Sequence, residues 1–276
     1  MMDGYQTLDD YTGRADRLPV IFTGHGSPFI IGEPDSPHKA AWRQLGAMLP
    51  DVKAVVCVSA HWESRGTKIT AMAHPRTIHD FYGFPEPFYE IEYPAPGAPD
   101  LAEDIATMLA PIEAGLDHDW GLDHGCWCVL QNIYPGANIP ILQLSLDVDL
   151  SPEGHYAIGQ KLKALRHQGV LVIGSGALVH NLQAIRPNMW GGQKDAISEL
   201  SEQFSATVRE KIISGDDQGL VNWSQMGAAA EFAIPTPDHY VPLLYVLGMR
   251  ETDDKPYFFN DVTEYAGLSM TSVLLA

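Results

Sequence analysis

The chain has 276 residues, 45% of them hydrophobic, enough to bury the core of one large domain or two small ones. Seventeen basic against 35 acidic residues give a formal charge of −18, and no Lys/Arg-rich run follows a phosphate backbone, which argues against nucleic acid and anionic membrane surfaces as partners. No apolar run nears the ~20 residues that span a bilayer, the start lacks the basic and apolar regions of a signal peptide, and three cysteines (Cys57, Cys126, Cys128) cannot all pair.

A soluble, cytoplasmic protein is therefore expected, with residues 1–17 as a loose tail. Beyond the tail, short β-branched runs read as buried strands: "PVIFTG" (19–24), "KAVVCVSA" (53–60), "KITAMA" (68–73), "IPILQLSL" (139–146), "GVLVIGSG" (169–176) and "LSMTSVLL" (268–275). Between them lie helical segments over 38–49, 98–110, 151–168 and 196–215, the first and third opened by Ser36-Pro37 and Ser151-Pro152 as N-cap and first helical residue. This alternation predicts an α/β domain with a mainly parallel sheet covered on both faces. The segment 74–97 gathers five prolines and six aromatics without a period, and is expected to be a long ordered loop that shapes a site.

The chemistry rests on histidines at element junctions. His25 follows the first strand, His61 the second, and His180 comes soon after "LVIGSG"; in a parallel α/β sheet such strand ends share one edge, where ligands bind. His124 and His239 each follow an aspartate and precede an apolar, helix-like run. A single histidine at a loop edge more often serves a structural hydrogen bond, but five at junctions favour a cluster of neutral imidazoles able to hold Zn, Fe, Cu or Ni. His38, His118, His155 and His167 read as solvated, and His74 and His79 are left open.

Competing motifs are weaker. Gly24-His25-Gly26-Ser27-Pro28 lacks the lysine of a phosphate loop, and Pro28 removes a backbone N–H; the glycines instead permit a tight turn that aims His25 along the sheet edge. Ser175 does not complete a nucleophile elbow. Cys126 and Cys128 would point about 200° apart on a helix and read as small core residues. Trp62, Trp127, Phe81, Tyr82, Phe84 and Phe88 are either core aromatics or the walls of a site for a flat aromatic substrate.

In order and spacing, "GHGSP", "SAHWES", "TIHDFYGFP", "YPAPG", "DHGCWCVL", "GSGALVHNL" and "PTPDHYVPLLYVLG" closely resemble the DOPA 4,5-dioxygenase (DODA-type) branch of the class III, LigB-like extradiol ring-cleavage dioxygenases, from about residue 18 to the C-terminus. The resemblance implies that residues 18–276 form a single three-layer α/β/α catalytic domain with a mainly parallel or mixed sheet. It also implies a non-haem metal, Fe(II) or alternatively Zn(II), and use of O2 to open a catechol-type, DOPA-like ring to a muconic semialdehyde-type product. By the same resemblance His25, His61 and His239 are the metal ligands. His180 is the acid/base histidine, also within ligand reach, and His124 a second active-site histidine that hydrogen-bonds substrate or oxygen. The wider class uses two histidines and a glutamate, whereas His239 stands at the third position here, giving an all-nitrogen set; Asp123 and Asp238 then orient histidines or cap a helix. A small aromatic diol and O2 are the expected partners, with the protein a monomer or small homo-oligomer. Two other readings stand beside it: a zinc hydrolase, since the same residue types activate water, and a non-catalytic relative that binds metal or a partner.

Overall fold

The structure, a computed structural model, describes residues 4–49 and 51–276. In chain order its strands are β1 (Gln6–Thr7), β2 (Val20–Gly24), β3 (Ala54–Ser64), β4 (Thr67–Thr70), β5 (Ala114–Asp117), β6 (Ile141–Asp147), β7 (Val170–Gly176), β8 (Pro256–Phe259), β9 (Thr263–Glu264), β10 (Leu268–Ser269) and β11 (Ser272–Leu275). The helices are α1 (Pro37–Met48), α2 (Pro99–Leu109), α3 (His124–Ile133), α4 (Pro152–Leu162), α5 (Leu182–Trp190), α6 (Glu199–Ser214), α7 (Asp217–Val221), α8 (Ala228–Ala233) and α9 (Val241–Gly248).

Nine strands form one sheet in the order β1-β8-β11-β2-β7-β3-β6-β4-β5, parallel through β2-β7-β3-β6 and antiparallel where β11 and β4 join. Period-two alternation divides its side chains. Val20, Phe22, Val56, Val58, Val170 and Val172 join a core with α2, α4, α6 and α9, while Ile21, Val55, Cys57, Leu171 and Ile173 join another with α1 and α3. The result is the expected α/β/α layering with a mixed sheet. Because the central strands are buried on both faces, they read as unbroken apolar runs.

Several sequence expectations are corrected. The stretch expected to be loose is held from Tyr5 onward: β1 pairs with β8, Tyr5 stacks on Phe258 at 5.1 Å, Leu8 and Tyr11 are buried, and Arg17 meets Asp253 and Asp254 at 2.7 and 2.8 Å. A two-residue strand is too short to carry a period, so the sequence gives no sign of it; Met1–Asp3 lie outside the described residues. The run 268–275 breaks into β10 and β11, and the helix expected over 151–168 turns to 3-10 geometry at Lys163.

His38 and His155 are buried rather than solvated, because each finds a partner distant in sequence: His38 Nε2 lies 2.8 Å from a Glu264 oxygen, and His155 Nδ1 lies 2.9 Å from the Tyr245 hydroxyl. Burial pushes the His155 imidazole down to about 4. Its folded value thus lies below the unfolded one, so its contribution is complete above about pH 6.5 and drains away as pH falls towards 4, while the unfolded chain gains a proton the fold refuses. Denaturant melts of His155→Gln at pH 7 and 4.5 should show about 2–3 kcal/mol less acid loss than the parent. Equal losses in both proteins would refute this assignment.

Candidate active site

The C-terminal ends of the parallel strands build the site. β2 ends in register with β7, Gly24 opposite Gly176, so the chain delivers His25 beside the segment that carries His180. Gly24 lies against the Met270 backbone, where a Cβ would come within 2.7 Å, and Gly26 has φ +72°, so both glycines are needed to turn here. Ser27 then caps a 3-10 turn begun by Pro28, accepting from the Phe29 N–H. His61 sits inside β3 rather than after it, in a stretch where the pairing with β6 shifts register between Val58 and Glu63; such an irregularity re-aims side chains. His124 opens α3, whose N-cap is Asp123.

The five histidines converge. His25, His61 and His124 each offer a ligand atom within 4.8 Å of the others, and His239, Asp238 and His180 form an adjoining group of the same kind. Ring centroids are separated by 4.9 Å for His25–His61, 5.3 Å for His25–His239 and 5.1 Å for His61–His239. His124 lies 3.9 Å from His61, and His180 stacks on His239 at 3.5 Å with planes 5° apart. His118 and His167 are exposed as expected, His74 is exposed, and His79 bonds the Ile91 carbonyl at 2.9 Å.

Hydrogen bonds behind the cluster fix which nitrogens face inward. The Ser175 hydroxyl donates its single proton to the Gly125 carbonyl at 2.5 Å, so at 3.0 Å from His25 Nδ1 it can only accept. His25 therefore carries its proton on Nδ1 and presents a bare Nε2. His239 Nδ1 is likewise bound to the Asp238 carboxylate, and His61 Nδ1 lies 3.3 Å from Asp80 Oδ2. Second partners of this kind set the tautomer of ligating histidines.

Asp80 touches two imidazoles. Its Oδ2 is also 2.9 Å from His124 Nδ1, bent too far for a good hydrogen bond, while its Oδ1 accepts the His124 backbone N–H at 2.9 Å. Burial alone would raise the Asp80 carboxyl, but the close His124 imidazole and the His124 backbone N–H hold it below its ordinary value. Asp123 is fully buried and accepts from Ser59, Gln143 and the Cys126 N–H; burial, then repulsion from Asp80, pushes it up. It caps α3 and braces the site from behind.

Desolvation and, after it, the neighbouring imidazoles push His25 and His61 well below the ordinary histidine value. For His180 burial and then His239 lower it to about 3, so His25, His61 and His180 are neutral near pH 7. Among the described residues His180 makes no ring hydrogen bond to protein; its backbone N–H, donating to the Ala233 carbonyl, fixes its position.

A cavity of about 240 Å³ opens over all five histidines, walled by Pro28, Phe84, Leu182, Ile185, Met189 and Trp190. Of the six aromatics singled out in the sequence only Phe84 lines it. Trp62 stacks on Trp120 at 5.6 Å, Trp127 is buried with its indole N–H on the Ile78 carbonyl, and Tyr82 is 90% exposed. The α5 wall was missed because Pro187 interrupts its pattern, although Asn181 followed by Leu182, Ile185 and Met189 is a capped helical spacing. A second cavity, about 280 Å³, lies behind Asp238 and is lined by Glu63, His155 and Trp223 but by none of the five histidines.

The family described as "Catalytic LigB subunit of aromatic ring-opening dioxygenase" matches residues 20–276. The chain is 41% identical over 270 residues to an Escherichia coli (strain K12) protein named 4,5-DOPA dioxygenase extradiol, covering 96% of this chain and 97% of that protein. It is 32% identical to a Beta vulgaris protein of the same name, covering 86% and 88%. A crystal structure of an uncharacterized protein from Escherichia coli K12 superposes with a TM-score of 0.80 at 36% identity, over 94% of this chain and 100% of that one.

Proposed function

Because the chain belongs to the LigB family of aromatic ring-opening dioxygenases, we propose that it opens a catechol-type, DOPA-like ring by extradiol cleavage with O2, yielding a muconic semialdehyde-type product. The observation that carries the metal dependence is a pair of facing nitrogens. His25 Nε2 and His61 Nε2 lie 3.1 Å apart, and His25, whose proton is committed to Nδ1 by Ser175, offers a bare lone pair there. Two ligands of one ion, each at about 2.0–2.1 Å, stand roughly 2.9–3.4 Å apart, and their ring centroids about 4.5–5.2 Å apart. Two sides of the His25–His61–His239 triangle, 4.9 and 5.1 Å, fall in this range and the third, 5.3 Å, lies just beyond it, so these three residues would hold the metal after a small adjustment; His124, at 3.9 Å from His61, is too close to serve as a further ligand in that arrangement.

Neutral imidazoles suit Fe(II) and accept Zn(II) in the same site; Fe(II) is the catalytic ion in this reading. The chemistry supplied by the bound ion is activation of O2 and its union with the ring. The remaining work belongs to side chains. His180, neutral and with ring nitrogens free on the cavity side, takes a proton from a substrate hydroxyl and returns it as the ring opens. His124, oriented by Asp80, hydrogen-bonds the substrate beside the ligand triad. Pro28, Phe84 and Trp190 exclude water and sandwich the flat ring, which supplies orientation. The catalytic domain takes in residues 18–276 together with the stretch from Tyr5 that joins its sheet, and three buried, unpaired cysteines fit a reducing cytoplasm. No helix among the described residues is long and apolar enough to cross a membrane.

The test is anaerobic reconstitution with Fe(II), then oxygen uptake over a panel of catechols. One O2 consumed per catechol and a yellow ring-opened product are expected, with the Zn(II)-loaded protein inactive. No uptake with any catechol sinks the reading, and hydrolysis of an ester or amide by the zinc form would favour the hydrolase instead. Convergence of the five histidines and the family match count against the non-catalytic alternative.

A further inference from the structure

Building on the ring-opening reading, we propose that Arg186 determines specificity by taking a carboxylate on the catechol's side chain. Leu182, Ile185, Arg186, Met189 and Trp190 all line the histidine cavity. Their spacing of three, four, seven and eight residues from Leu182 is that of one helix face, so a whole stripe of α5 looks onto the site. Four members are apolar, and the guanidinium stands in the middle of them.

That cation is unclaimed. Arg14, Arg17, Arg166, Arg209 and Arg250 each meet an aspartate within ion-pair distance. Arg186, like Arg43, Arg65 and Arg76, meets no Asp or Glu at that distance among the described residues, but it alone of these four lines the histidine cavity. No Asp or Glu lines the cavity either. The nearest acids of the site, Asp80 and Asp238, are turned onto the Nδ1 atoms of His61, His124 and His239. Lys194, on the loop that follows α5, is tied to Glu33 and Glu264 at 2.8 and 3.3 Å. Among the residues that line the cavity, Arg186 is the one permanently charged side chain.

The geometry orders the ligand. Histidines take the diol end, and Phe84 holds the ring face, itself braced by Phe29 at a 4.7 Å centroid separation, with Trp190 edge-on to Phe29 at 6.3 Å. The ring's substituent then points along α5, where a planar guanidinium matches a carboxylate through two parallel N–H···O bonds. A cationic substituent would meet repulsion, and a neutral one only apolar wall.

Calorimetric titration of the metal-loaded protein without O2 decides the matter, using 3,4-dihydroxyphenylacetate as anion, 4-methylcatechol as neutral probe and dopamine as cation. The anion should bind about tenfold more tightly than the neutral probe, with added salt weakening the anion alone. Arg186→Gln should abolish the ratio, Arg186→Lys retain part of it, and Arg186→Glu turn it in favour of dopamine; Arg186 is exposed on its helix, so these variants keep the fold. Equal affinity of anion and neutral probe in the parent protein, or equal weakening of all three by Arg186→Gln, overturns the role of Arg186. Binding ratios that obey it while Fe(II) protein opens none of the three would instead remove the ring-opening reading and leave the anion subsite standing. No binding of any probe removes both.

Discussion

His25→Ala is expected to lose metal and ring-opening activity together, with activity down more than about a thousandfold and the α/β/α domain still folded. Losing a supporting hydrogen bond to a ligand typically weakens a metal site about 10–100-fold, and losing the ligand itself removes a coordinate bond as well. The fold should tolerate the change. His25 stands at the end of β2, its ring borders an existing cavity, and the Ser175 hydroxyl keeps its bond to the Gly125 carbonyl without it. Metal content by atomic emission and the metal-induced rise in melting temperature are the readouts, since an ion that binds only the native state stabilises it by mass action. The parent should show that rise and the variant should not, while their metal-free melting temperatures agree. A variant that keeps a full equivalent of metal removes His25 from the ligand set.

His180→Ala should separate chemistry from metal binding. Metal content stays near the parent's, while kcat falls by about two to four orders of magnitude, the range for loss of a positioned proton-transfer group. Its ring lies parallel to His239 and borders the cavity. A stacked ring cannot readily share an ion with its neighbour, because the nitrogen lone pairs lie in the two ring planes rather than between them. KM should change far less than kcat. Loss of metal in step with activity would make His180 a fourth ligand, and an unchanged kcat would assign the proton to another group.

The parts of this molecule legible in the sequence are those encoded locally. The central strands announce themselves as β-branched runs because both faces are covered, and His25, His180 and the Gly24 turn fall at their ends. His239 and His124 are legible through the aspartate before each and the apolar helix after it. What depends on contacts across the sheet is not. Asp80 acts on His61 and His124, 19 and 44 residues away, and nothing around it in the proline-rich loop marks it as an orienting group. Ser175 draws attention as a failed nucleophile, yet its use is to fix the His25 tautomer. His155 and His38 look exposed on helical patterns, since their partners Tyr245 and Glu264 come from the far end of the chain. The α5 stripe is hidden by Pro187 and by the arginine that interrupts its apolar spacing.

Asp80 gives the long loop over 74–97 a double allegiance. One oxygen serves two imidazoles and the other begins α3, whereas the same loop, a few residues on, supplies Phe84 to the cavity wall. Anyone recasting the enzyme for bulkier rings would want to exchange this loop between relatives. The seam for such a graft falls at Gly83, where φ is +80° and a Cβ would meet nothing within 4 Å. Cutting on its C-terminal side swaps the wall and leaves the carboxylate in the recipient; cutting upstream of Asp80 transplants the histidine orientation along with the wall, so that a change aimed at substrate size would alter the metal centre too.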